Sequence, residues 1–266
     1  MHASSLNPIR CVGLAMVLVA TSLPAFACED IELRAALRMA YPDAAMDRHR
    51  LILPTSDRQA PLSSIQCEPW PAHPELLLLA VPLQAPVRED AHSQVGDLEV
   101  IVSDLVTGAV RARYVHRNRL DSDAWFFDGV SLDTAGFPLK EEQAAFGTRV
   151  TFRGSSRVNP FSETTLTLYL LEGSTLFPVL RDLPVERFGG EWDGNCAGEF
   201  GRLERTLMVV PPEAEGWADL EIHTRRTDIV ARVEGDQCDE SEISSGTTTR
   251  VTHDGTGYPV SPMPDG

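Results

Sequence analysis

The chain has 266 residues, with 23 lysines and arginines against 39 aspartates and glutamates, and a formal net charge of −16 at neutral pH. That excess of acid repels phosphate backbones and anionic headgroups, so it argues against a nucleic-acid partner and against adhesion to an anionic membrane surface. The length is enough for one large domain or two small ones around a sizeable hydrophobic core.

Residues 1–27 read as a secretory signal peptide. Arg10 gives a positive flank, 11–20 is an apolar run, Pro24 breaks it, and Ala25-Phe26-Ala27 puts small residues where a signal peptidase reads. The run is too short for a permanent transmembrane anchor. A periplasmic or secreted location follows. The mature chain would begin at Cys28 and keep Cys28, Cys67, Cys196 and Cys238. An even number of cysteines in an exported chain reads as two disulfides, and four cysteines allow three pairings. Cys28–Cys67 and Cys196–Cys238 are the expected pairs. Lipidation of Cys28 is the competing reading, but Ala25 and Phe26 stand where a lipoprotein signal wants a leucine-like and a small residue.

Beyond the leader, 29–41 predicts a helix. Glu29, Asp30 and Glu32 suit its N-terminus, Ile31, Ala35, Leu37, Met39 and Ala40 make a rough apolar stripe, and Tyr41-Pro42 stops it. Residues 42–66 read as loop or irregular edge, with 51–53 a short strand. Residues 67–71 read as a turn-rich patch, and 75–81 as a buried strand. From 97 onward short alternating runs dominate: 97–102 and 109–115 as a hairpin about Thr107-Gly108, then 125–132, 148–153, 164–171, 176–180, 205–210, 218–224 and 229–233. Residues 248–252 and 258–260 predict a last hairpin about Asp254-Gly255. Ten to twelve short strands at this spacing indicate a mainly β protein: an antiparallel β-sandwich or barrel-like body with a short N-terminal α-helix. The division expected is a helix-and-strand segment, 28–96, packing on an antiparallel β domain, 97–266, with a break between sub-sheets near 182–200. The disulfide Cys196–Cys238 would staple a glycine-rich loop, 189–201, to a polar loop, 236–247.

Signals for chemistry are sparse. Ser155 and Ser156 lie in the nearest approach to a nucleophile elbow, without its strand–turn–helix setting. Lys140 is the only lysine, in a polar context that makes it a surface residue. His116 and His223 fall at or in strands and read as surface or edge residues. Asp121, Asp123 and Asp128 resemble part of a calcium loop, but Trp125 and Phe126 occupy its fifth and sixth positions. No catalytic residue, cofactor or metal is assigned. Two polar stretches stand out as recognition loops for a protein or glycan: Arg157 with Asn159, and Glu191, Trp192, Asp193 and Asn195 among glycines. The plainer reading gives Trp192 to packing over the disulfide and the acids to turn capping.

Several phrases carry a family likeness: 129–135 (GVSLDTA), 145–150 (AFGTRV), 156–160 (SRVNP), and 190–193 with 195–199 (GEWD, NCAGE). Together they resemble a group of exported proteobacterial proteins of unknown function. That resemblance implies an exported location and carries no catalytic residue across. The function expected is a non-enzymatic binding or interaction protein of the bacterial envelope, one form of which is an inhibitor of a cell-wall hydrolase. A hydrolase with an unrecognised site, or a structural protein anchored through lipidated Cys28, are the alternatives.

Overall fold

The computed structural model describes residues 28–86, 93–141, 143–212 and 216–260. The leader, 1–27, lies outside them. The expected architecture is present: among the described residues there are two antiparallel sheets and one α-helix near the N-terminus.

The helix, α1, spans Asp30–Ala40. The Glu29 N–H donates to Glu32 Oε2 at 3.0 Å, and acids in the first turn complement the helix dipole. Its buried face is Ala36, Leu37 and Ala40, so the stripe read from the sequence holds at Leu37 and Ala40 and fails at Ile31, 73% exposed, and Met39, 56% exposed. The 3.6-residue period groups Leu33 with 36, 37 and 40, which leaves 31 and 39 outside. The disulfide Cys28–Cys67 ties the helix entry to the first sheet.

That sheet holds β1 (Ala45–Met46), β2 (Arg50–Leu53), β3 (Arg58–Pro61), β4 (Gln66–Trp70), β5 (His73–Gln84), β6 (Gly96–Asp104) and β7 (Val110–His116), ordered β1-β2-β3-β5-β6-β7 with β4 also on β5. Residues 67–71, expected to be turn-rich, are mostly strand. Pro69 is tolerated because β4 is an edge strand, paired on one side only, to β5. β5 explains its own unbroken apolar run. Leu76, Leu78 and Ala80 enter the core between the sheets, while Leu77, Leu79 and Val81 enter the core under α1. A strand covered on both faces has no reason to alternate. Each such leucine, fully withdrawn from water, contributes roughly 1.5–3 kcal/mol. The β6–β7 hairpin turns where expected, with Gly108 at φ 70° against the backbone of Ala35.

The second sheet is an up-and-down meander of β8 (Trp125–Lys140), β9 (Gln143–Gly154), β10 (Phe161–Glu172), β11 (Thr175–Trp192), β12 (Gly198–Val210), β13 (Asp219–Glu234) and β14 (Gln237–Val251). The two sheets therefore divide between His116 and Trp125, whereas the sequence suggested a line at 96/97. In the region of the supposed break, β11 runs on to Trp192 and pairs with β12 from Gly198, so one sheet continues through it. The polar stretch 236–247 is strand rather than loop, and 258–260 is not strand. In the sequence these long strands look short because bulges and proline interrupt their pattern, as at Pro184 in β11.

One core, with Leu78, Val100, Phe146, Val150 and Tyr169, lies between the sheets. Another, with Leu139, Leu168, Leu180, Leu220 and Ile222, fills the second sheet's own concavity. The register between β11 and β12 ends at Glu186–Glu204, while β12 continues on β13 to Val210–Asp219. Past that fork the last three strands fold over toward the end of β8. There Ala218 N–H donates to the Leu139 carbonyl at 2.8 Å, and the Lys140 ammonium sits 5.5 Å from the centre of the Trp217 ring.

Candidate functional site at the tip of the second sheet

At the end of the second sheet away from that closure, the chain brings both sequence-predicted loops together. The Trp192 N–H donates to the Val158 carbonyl at 2.8 Å, so 156–160 and 191–197 form one tip. The glycine-rich stretch is less of a loop than its composition suggested. Gly189 to Trp192 close β11, Gly198 opens β12, and only 193–197 turn. Asp193 makes that turn. Its Oδ1 accepts the N–H groups of Asn195 at 2.8 Å and Cys196 at 2.9 Å. Those bonds hold its carboxyl below the usual range. Asp193 is thus committed to the backbone, as the capping reading held. Asn159 lies in a matching turn, its N–H on Ser156 Oγ at 3.0 Å. Arg157, Asn159, Glu191, Asp193 and Asn195 are all exposed, and Trp192 is half-buried. The disulfide Cys196–Cys238 pins 193–197 to the start of β14.

The rest of the site became visible only through strand register. Phe161 stands opposite Gly189, Gly189 opposite Gly201, Gly201 opposite Asp228 and Asp228 opposite Ile243. Directly opposed residues share a face. Trp125 joins them by stacking on Phe161, centroids 3.9 Å apart and planes 12° from parallel. Trp125 remains 50% exposed. The result is a shelf with an aromatic wall, a glycine floor and an acid at its far side. One step nearer the tip, on the same face by alternation, Glu191 stands directly opposite Glu199, both exposed. Trp192 therefore belongs to the opposite face from Glu191. There Gly190 and Gly198 admit the Phe200 ring, which stacks on Phe188 at 5.7 Å.

Other candidates are placed elsewhere. Asp121 Oδ1 accepts the Gly96 N–H at 2.9 Å and Asp128 pairs with Arg153 at 2.8 Å, so both serve local structure. His116 is not at the surface. It is 9% exposed, with Nε2 2.5 Å from the Tyr169 hydroxyl. Its tyrosine partner lies 53 residues away in sequence, a relation that strand patterning does not encode. His223 is half-exposed, with Thr248 Oγ1 3.0 Å from Nδ1. Among the described residues no group of three histidine, cysteine or acidic side chains is arranged to hold a metal ion, and no helix is long and apolar enough to cross a membrane.

These features define a two-sheet antiparallel β protein with an acidic, aromatic tip. No protein-family model, curated protein or solved structure matches the chain.

Proposed function

We propose that this chain is an exported, non-enzymatic binding protein of the bacterial envelope that engages a basic protein partner through the tip of its second sheet. The observation that carries the reading is the Glu191–Glu199 pair. Like charges directly opposed across two strands destabilise a sheet. A partner's arginine or lysine placed between them relieves that repulsion. Trp125, stacked on Phe161 at the shelf, is a rigid, half-exposed aromatic of the kind that anchors interfaces. The net charge of −16 adds long-range attraction toward a cationic partner. The two disulfides fit an oxidising compartment outside the cytosol, where cell-wall hydrolases work and where many lysozymes are basic. Inhibition of such a hydrolase is the specific form proposed.

Size-exclusion chromatography and calorimetry with a basic lysozyme at low ionic strength test this. A complex is expected that weakens with salt. Trp125→Ala should cost about 2 kcal/mol, more than tenfold in Kd, as loss of a central aromatic anchor does. The Glu191→Gln/Glu199→Gln double variant should weaken it comparably. Absence of co-elution with basic wall hydrolases, or a complex indifferent to all three substitutions, overturns the proposal.

A further inference from the structure

A second site lies on the same face of the sheet, at the fork where β12 leaves β11. It is a groove of about 590 Å³, floored by Leu183, Ile222, Val251 and Val260 and walled by arginines and hydroxyls. In a chain with 39 acids and 23 bases, this groove is unusual in gathering cations. Leu203 is the reference point. Arg187 and Arg226 stand directly opposite it on the two flanking strands, and Arg205 is two residues along its own strand, so the three guanidinium groups surround one side chain. Arg187 is engaged by Glu163, Nε to Oε2 2.6 Å. Arg205 donates to neutral oxygens, Thr224 Oγ1 at 3.2 Å and the Pro184 carbonyl at 3.1 Å. Burial disfavours its charge, and Arg226 and Arg187 add repulsion that Glu163 only partly offsets. On the far wall Arg250 pairs with Asp219 at 2.7 Å, beside Thr247 and Thr249 of the edge strand. The groove thus offers an apolar floor, a half-buried guanidinium group that donates to neutral oxygens, and a row of hydroxyls.

We propose that this groove binds a small organic anion: a carboxylate or phosphate group carried on a short apolar body. The anionic group would lie against Arg205 and accept bonds from the Thr224 and Thr247 hydroxyls, bidentate geometry being natural to guanidinium. The apolar body would cover Leu183, Ile222 and Val260, as in small-molecule sites where a few polar groups orient an otherwise apolar ligand. This site is independent of the acidic tip, whose carboxylates would repel the same ligand.

The test is calorimetric titration of the mature, oxidised protein at low salt with octanoate and octyl phosphate, using octyl glucoside and inorganic phosphate as controls. Both octyl anions should bind saturably, and octyl glucoside should not. Inorganic phosphate should bind at least tenfold more weakly than octyl phosphate. Arg205→Gln should weaken the octyl anions at least tenfold. Because Arg205 also bonds the backbone of β11, Thr247→Glu serves as a second variant: Thr247 is exposed on the edge strand, and a carboxylate there should weaken the anions at least tenfold without disturbing a packed residue. No saturable binding of either octyl anion, octyl glucoside bound as tightly as octanoate, free phosphate bound as tightly as octyl phosphate, or anion binding unchanged in Thr247→Glu would each overturn the proposal. The Glu191→Gln/Glu199→Gln variant should leave anion binding within twofold or strengthen it, so failure of the tip reading and failure of this one are distinguishable.

Discussion

A Cβ added at Gly190 would lie 2.2 Å from the Glu199 carbonyl oxygen and 2.7 Å from the Phe200 ring. At Gly201, on the shelf, an added Cβ meets nothing within 4 Å. Both glycines lie in paired strands with ordinary backbone angles, so the difference between them is one of space alone. Gly190→Ala should therefore lower stability by roughly 1–3 kcal/mol through overpacking against backbone that cannot retreat. Gly201→Ala should be neutral or stabilising by up to about 1 kcal/mol, since it restricts the unfolded chain and strains nothing. Urea unfolding monitored by tryptophan fluorescence checks both, and equal midpoints for the two variants would contradict the packing described. The glycine run was conspicuous in the sequence, but its role was not. A glycine's meaning in a strand depends on the residue opposite it, and that partner is set by register.

At the scale of elements, the second sheet changes character along its length. Near the fork β12 to β14 cover an apolar core; toward the tip β13 and β14 carry mostly exposed side chains, with Val233 58% and Ile243 74% exposed. Little apolar burial supports that end, so the Cys196–Cys238 link matters most there. Cys196→Ser/Cys238→Ser should speed amide exchange at least tenfold in 230–241 relative to the centre of β5 in the same protein. It should also lower global stability by about 2–4 kcal/mol through loss of chain constraint. Uniform loss of protection across both strands and β5 would argue against this local view. The helix and the β6–β7 hairpin were legible in the sequence because capping acids and a Thr-Gly turn are local signals; that the cysteines form two disulfides was legible from their even number, while which of the three pairings forms is set by the fold. The full lengths of β8 and β11 were not, because bulges shift the period-2 pattern on which strand reading depends.

At the scale of the molecule, the two sheets meet through more than apolar packing. His116 of β7 and Tyr169 of β10 share a hydrogen bond across the interface, with Thr148 Oγ1 3.3 Å from the same hydroxyl. Arg119 reaches from the first sheet's exit to Thr165 and Asp182. Burial pushes the His116 imidazole down to about 4 from 6.5, and Arg119 and Arg181 oppose its charge further, against a favourable Asp182. The folded protein therefore holds His116 neutral where the unfolded chain would protonate it. Between those two values the unfolded state binds more protons, so stability rises with pH; it is fully present above about 6.5 and is lost as pH falls toward 4. His116→Gln should flatten the pH dependence of stability in that window by up to about 1.4 kcal/mol per pH unit, the limit for one proton. Identical pH slopes for the two proteins in chemical denaturation would show that His116 titrates alike in both states.

The sequence by itself determined the class of architecture and the presence of two disulfides, because these follow from local strand patterning, composition and the even number of cysteines. Tertiary structure decided which residues became neighbours across the meander. Glu191 faces Glu199, Trp125 stacks on Phe161, and three arginines from three strands surround Leu203. Such juxtapositions depend on the register of several successive pairings, and a slip of one residue in any of them would turn the same side chains to the other face.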